Sequence, residues 1–139
     1  KYMNNLLISK YWEDNDLLEI KISAESEFVK IHQLCYVQDV YLKGIGEKII
    51  AYSFDYNEGC YVEFGQKEGD FTPAFSLDFL KADASGHVKI EVDMEIADNP
   101  DRAHRCKFYI DSEVGLIEQF GKNLIRLVEN KQDEVLLNN

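Results

Sequence analysis

Between Val88 and Ile96 the chain reads Val-Lys-Ile-Glu-Val-Asp-Met-Glu-Ile, nine residues that alternate between apolar and charged. A period of two marks a strand with one face on a core and the other in water. Any fold for this chain must therefore contain a long amphipathic strand backed by an apolar layer. Three of its four charged residues, Glu91, Asp93 and Glu95, are acidic, so the same strand lends the solvent face its sign.

The flanking segments supply partners for it. Phe75, Leu77 and Phe79 alternate in the same way, and Asp83-Ala84-Ser85-Gly86 is a turn signal, because Asp and Ser can bond the local backbone and Gly accepts a positive φ. The two strands are expected to form an antiparallel hairpin. After a turn at Asn99-Pro100-Asp101, His104–Ile110 returns with Cys106, Phe108 and Ile110 inward and Arg105, Lys107 and Tyr109 outward. Arg105 and Lys107 would then neutralise part of the acidic face by cross-strand pairing, at ~0.2–1 kcal/mol per pair.

Upstream, Leu18, Ile20 and Ile22 alternate with Glu19 and Lys21, and Phe28–Tyr36 follows as a second strand of a hairpin. Leu6–Trp12 reads as an extra edge strand or a late-docking tail. Leu42, Ile45 and Ile49 recur at helical spacing behind Asp39, an expected N-cap, although Gly44 and Gly46 each weaken a helix by about 1 kcal/mol. Tyr61–Phe64 reads as a short strand between Gly59 and Gly65. Asp111 and Ser112 are placed to cap a helix over Glu113–Glu129, whose apolar stripe is Leu116, Ile117, Phe120, Leu124, Leu127 and Val128. Gly121, in mid-helix, is expected to let that helix approach the sheet closely.

Runs of hairpins rather than alternating strand–helix units predict an α+β fold. The expected architecture is one antiparallel sheet of about six strands, with the C-terminal helix packed on one face and a short helix inserted after strand two. At 139 residues a single domain, 1–139, suffices, with 130–139 read as a loosely held tail.

Charge narrows the function. With 15 Lys+Arg against 26 Asp+Glu the net charge is −11, which disfavours direct binding of nucleic acid or anionic membrane and favours encounter with a basic partner. Cys35, Cys60 and Cys106, odd in number and widely spaced, do not read as a disulfide framework, and a reducing cytoplasmic setting is expected. No metal site or other cofactor is expected, since His32 with Cys35 and His104 with Cys106 lack zinc-ligand spacing. No catalytic residue is expected either. Carboxylate pairs are too common here to be specific, no G-x-S-x-G elbow occurs, and His87 is read as a hydrogen-bonding partner of the Asp83–Gly86 turn.

The order Asp16-Leu17-Leu18-Glu19-Ile20-Lys21-Ile22, Phe75-Ser76-Leu77-Asp78-Phe79, Ser85-Gly86-His87-Val88-Lys89-Ile90-Glu91-Val92, Cys106-Lys107-Phe108-Tyr109-Ile110 and Phe120-Gly121-Lys122-Asn123-Leu124 resembles the WapI-type bacterial immunity proteins. The resemblance runs from Asp16 to Leu127, and its most specific piece is the Ser-Gly-His-Val hairpin. It implies an antitoxin of contact-dependent growth inhibition, cytoplasmic and non-enzymatic. Its partner would be a cognate basic toxin, a nuclease acting on RNA or tRNA, bound as a 1:1 heterodimer that blocks the active site or substrate cleft.

The contact residues expected from chemistry alone are Asp55, Tyr56, Glu58 and Glu68 in the tyrosine-rich acidic segment, with Glu91, Asp93 and Glu95 on the long strand. A ligand-binding or enzymatic α+β domain, with a pocket near His32 or His87, is the alternative. A homodimer through Leu6–Trp12 is the third possibility.

Overall fold

A computed structural model describes residues 5–64, 75–99 and 102–138. In chain order the elements are β1 (Asn5–Asp14), β2 (Leu17–Glu25), β3 (Lys30–Gln38), α1 (Asp39–Phe54), β4 (Cys60–Phe64), β5 (Phe75–Phe79), β6 (His87–Asn99), β7 (Arg102–Glu113), α2 (Val114–Val128) and β8 (Glu134–Asn138). The α+β class holds, but the single six-stranded sheet does not. The strands form two four-stranded antiparallel sheets, β3-β2-β1-β8 (sheet A) and β4-β5-β6-β7 (sheet B).

The two strands beyond the expected six lie at the two ends of the described chain. Leu6–Trp12 is not an edge or a tail: β1 lies inside sheet A between β2 and β8, with Leu6 and Ile8 fully buried. That extra strand also moves the first helix to a place after strand three. The 130–139 tail is tied down from Glu134 onward, where β8 pairs with β1 and buries Val135 and Leu137. From Asn5 to Ser9 the β1 edge is therefore occupied by β8.

The apolar halves of the alternating strands meet in one core. Ile20, Ile22, Ile31, Cys35 and Val37 come from sheet A, and Val62, Leu77, Phe79, Ile90, Val92, Phe108 and Ile110 from sheet B. Each helix lies against an edge strand of each sheet, α1 against β3 and β4 and α2 against β7 and β8. Leu42, Ile45, Ile49 and Tyr52 are the buried stripe of α1, and Ile117, Phe120, Leu124 and Leu127 that of α2. Fully burying such side chains contributes ~1.5–3 kcal/mol each before the entropy of ordering is set against it.

Gly121 opens a close approach to α1 rather than to a sheet. A Cβ added there would stand 2.9 Å from the Gly46 carbonyl oxygen, and one at Gly46 would stand 2.8 Å from the Gly121 oxygen. Gly46, which weakens the isolated helix, is what allows the two helices to touch backbone to backbone. Neither expected cap forms. The helix N-caps are Gln38 and Glu113 without side-chain bonds; Asp39 is already helical, and Ser112 donates its hydroxyl to the Asn138 carbonyl, 3.2 Å away, joining β7 to β8. Extended backbone continues to Glu113 because the β6 pairing does.

Candidate functional site

The outer face of sheet B collects three of the six carboxylates that the sequence singled out, Glu91, Asp93 and Glu95. Antiparallel registers set Tyr61, Asp78, Glu91 and Tyr109 in one row across four strands, and Glu63, Ser76, Asp93 and Lys107 in the next. Glu95 lies opposite Arg105 and Lys89 opposite Asp111. Alternation along each strand is what brings these polar side chains to one side.

Glu91, Asp93 and Glu95 face outward but are not a free acidic strip, because Arg105 and Lys107 of β7 lie among them. Arg105 reaches Glu95 at 3.2 Å and Asp93 at 3.6 Å, and Lys107 reaches Glu91 at 3.6 Å. Tyr109 donates its hydroxyl to Glu91 at 2.7 Å. Glu95 is buried, its side chain only 7% exposed beneath the Arg105 guanidinium. These contacts make the strand acids part of a charged lattice that holds β6 to β7, with Glu91 and Asp93 still partly exposed.

Asp78 and Glu63 stand outside that lattice. Among the described residues neither is ion-paired; Glu63 accepts a hydrogen bond from the Tyr61 hydroxyl at 3.0 Å. Partial burial and the Glu91 charge push the Asp78 carboxyl above its ordinary range. The same face presents Tyr61 and Tyr109, each close to half exposed. Burial is the main cause that raises the Tyr61 hydroxyl, with Glu63 and Asp93 adding to it, whereas the hydrogen bond to Glu91 raises Tyr109. Five carboxylates (Glu63, Asp78, Glu91, Asp93, Glu95) thus share the face with Arg105 and Lys107, and acid remains in surplus.

The α1–β4 loop extends the acidic surface. Asp55 and Glu58 are exposed and Tyr56 is half-buried against the core. Asn57 donates to the Asp55 carboxylate at 3.1 Å, and a Cβ built on Gly59 would lie 3.9 Å from an Asp78 carboxylate oxygen, so the loop ends beside Asp78. Glu68 lies outside the described residues. Asp78, Glu63, Tyr61 and Tyr109 were missed as site residues; the period-two registers of their strands are the signal that would have found them.

Two concavities border this sheet. One of ≈ 470 Å³ between α1 and β4 is lined by Val40, Tyr41, Lys48, Tyr61 and Glu63, with the Lys48 ammonium donating to the Tyr61 carbonyl at 2.6 Å. The other, ≈ 410 Å³, contains His87, Asp83, Lys89 and Asp111. Apart from Lys81, its charged groups are engaged: Lys89 pairs with Asp111 at 3.1 Å, and the Asp83 carboxylate accepts backbone N–H bonds from Ser85 (2.8 Å) and His87 (2.9 Å) while facing the His87 ring at 3.3 Å. The bond from the His87 amide is the leading cause that holds the Asp83 carboxyl below its ordinary range. Gly86, at φ +82°, completes this turn. His32 is exposed on sheet A.

Burial pushes the Cys35 thiol up to about 12 and raises Cys60 as well, so neither offers a thiolate nucleophile near neutral pH. No group of three or more His, Cys, Asp or Glu side chains suited to a metal ion occurs among the described residues, and no helix among them is long and apolar enough to cross a membrane. Compared with protein-family models, curated proteins and solved structures, the chain has no match.

Proposed function

We propose that the chain is a binding protein of the immunity type, which neutralises a basic protein partner, a toxin domain acting on RNA, by docking an acidic surface on its substrate cleft. The observation that carries this reading is Asp78. A carboxylate raised by burial and by Glu91, with no ion-paired cation among the described residues, is costly on a face where its neighbours are paired. A basic partner would supply the missing charge. Tyr61 and Tyr109, exposed beside it, offer contact area at low entropic cost. The net charge of −11 supports the same reading, because it accelerates encounter with a cationic surface.

A pocket enzyme or small-ligand protein finds less support. The Lys48 ammonium in one concavity is bonded to backbone, and in the other Lys89 is paired with Asp111 and His87 faces Asp83.

Co-expression with the toxic domain encoded beside this gene is the direct test. The expected results are rescue of growth and a 1:1 complex whose association slows as salt rises, and slows further in the Asp78→Asn, Glu63→Gln double variant. Absence of both rescue and complex would overturn the reading.

A further inference from the structure

The outer face of sheet A carries an exposed aromatic pair that the sheet B reading does not use. Leu6, Ile8 and Lys10 pair with the inward residues Ala24, Ile22 and Ile20, so an unbroken β1 would point Trp12 inward. The register shifts between Lys10 and Trp12, and Trp12 instead stands opposite Glu19 on the solvent side. A bulge re-aims a side chain at a cost to the ladder. Here it takes the only tryptophan of the chain out of the core and leaves it 47% exposed.

What it meets there is Tyr36, which lies opposite Glu19 from the other side. The two rings meet edge to face with centroids 6.4 Å apart, so the Glu19 carboxylate is flanked by both. The Tyr36 hydroxyl bonds that carboxylate and is raised by it. Tyr11 and Leu17 extend the exposed apolar area at this end, and Leu34 extends it along β3. Exposed Asp14 and Asp16 surround it, and Asp39 is brought up by its backbone N–H bond to the Asp16 carbonyl at 2.8 Å. Lys10 is turned away, paired with Glu13 and bonded to Asn130; Lys21 and Lys30 lie farther along the sheet.

We propose that Trp12, Tyr36 and Glu19 form a second docking point, which takes an arginine side chain of a basic protein partner. A guanidinium stacks on an indole face and pairs with a carboxylate at once, which no apolar side chain can do. A second copy of this chain is the wrong occupant, because it would bring a further −11 charge against a carboxylate-rimmed patch. The inference deepens the proposed function by adding an anchor on the opposite sheet, and its test does not depend on the identity of the toxin.

Trp12, as the only tryptophan, is a built-in reporter. Hexa-arginine peptide is titrated into the protein while Trp12 fluorescence and the indole N–H resonance are followed. The expected result is a saturable change that is about fivefold weaker in Glu19→Gln and in Tyr36→Ala, yet unaltered in Glu118→Gln, which lies on α2 outside both docking surfaces. Circular dichroism confirms that each variant is folded. Bound peptide with an unmoved Trp12 signal, equal affinity in Glu19→Gln, or a concentration-dependent dimer that buries Trp12 would each overturn the proposal. Rescue failure with intact peptide binding would sink the toxin reading and leave this one standing.

Discussion

The solvent faces of the two sheets are built on opposite plans. Sheet B holds its charges against one another, with Arg105 and Lys107 threaded between Asp93, Glu95 and Glu91. At its bulged end, sheet A shows an aromatic pair around one carboxylate, with its nearest lysine turned away. A lattice of paired charges holds strands together and leaves little free valence. An exposed tryptophan does little for folding and much for a partner, since Trp, Tyr and Arg dominate interface energetics. The difference teaches that a surplus of paired acid and an exposed aromatic pair can be built on different sheets of one chain.

Removing the lattice is expected to have the largest effect. Arg105→Ala leaves Glu95 and Asp93 without that cation and should cost about 1.5 kcal/mol, less than a fully buried pair because the guanidinium is 45% exposed. Urea denaturation measures it, and adding Glu95→Gln should recover part of the loss. On the other sheet, Trp12→Ala should cost under ~1 kcal/mol by the same measurement while removing most of the arginine-peptide affinity. A loss as large as that of Arg105 would show that the indole holds the fold and break the contrast.

Asp78→Asn should stabilise the protein by ~0.4 kcal/mol at pH 7, a small gain because the site is wet. The sign follows from its raised pKa. Below the ordinary aspartate range the wild-type group is protonated in both states and the two proteins are equally stable. As pH rises through the raised value the ionised carboxylate costs the folded state, and the variant's advantage grows to its plateau. Unfolding curves at a series of pH values check this, and a flat difference would remove Asp78 from the list of partner-facing groups. Lys89→Ala, which breaks the exposed pair with Asp111, should change stability by no more than ~0.3 kcal/mol.

Most of the elements were legible, because period two and the helical stripe each leave a mark on single residues. Val88–Ile96 falls within β6, and Leu116–Val128 within α2. What alternation cannot state is which inward faces meet, and so one sheet was expected where the strands divide into two. β1 was obscured by its own bulge, which interrupts the pattern at Tyr11. β8 offered three apolar residues in a row, of which Leu136 is exposed. Gly46 read as a penalty, and the close approach expected of Gly121 was assigned to the sheet, because the benefit of both exists only once the two helices touch. For the site, the acids of β6 were found but their exposure was overstated. Arg105 and Lys107 were recognised as neighbours, whereas the Arg105 contact to Asp93 and the Lys107 contact to Glu91 run diagonally and depend on sheet twist.

The pairing of β1 with β8 joins the two ends of the described chain in one sheet. During synthesis the first three strands emerge long before their last neighbour, so the backbone groups of Asn5–Ser9 that β8 will later claim stay unclaimed until the residues of β8 have been made. Contacts so distant in sequence slow folding, and an open strand edge in the meantime invites pairing with other chains. Sheet A is therefore the half whose completion the ribosome delays, and the step at which a chaperone would matter most.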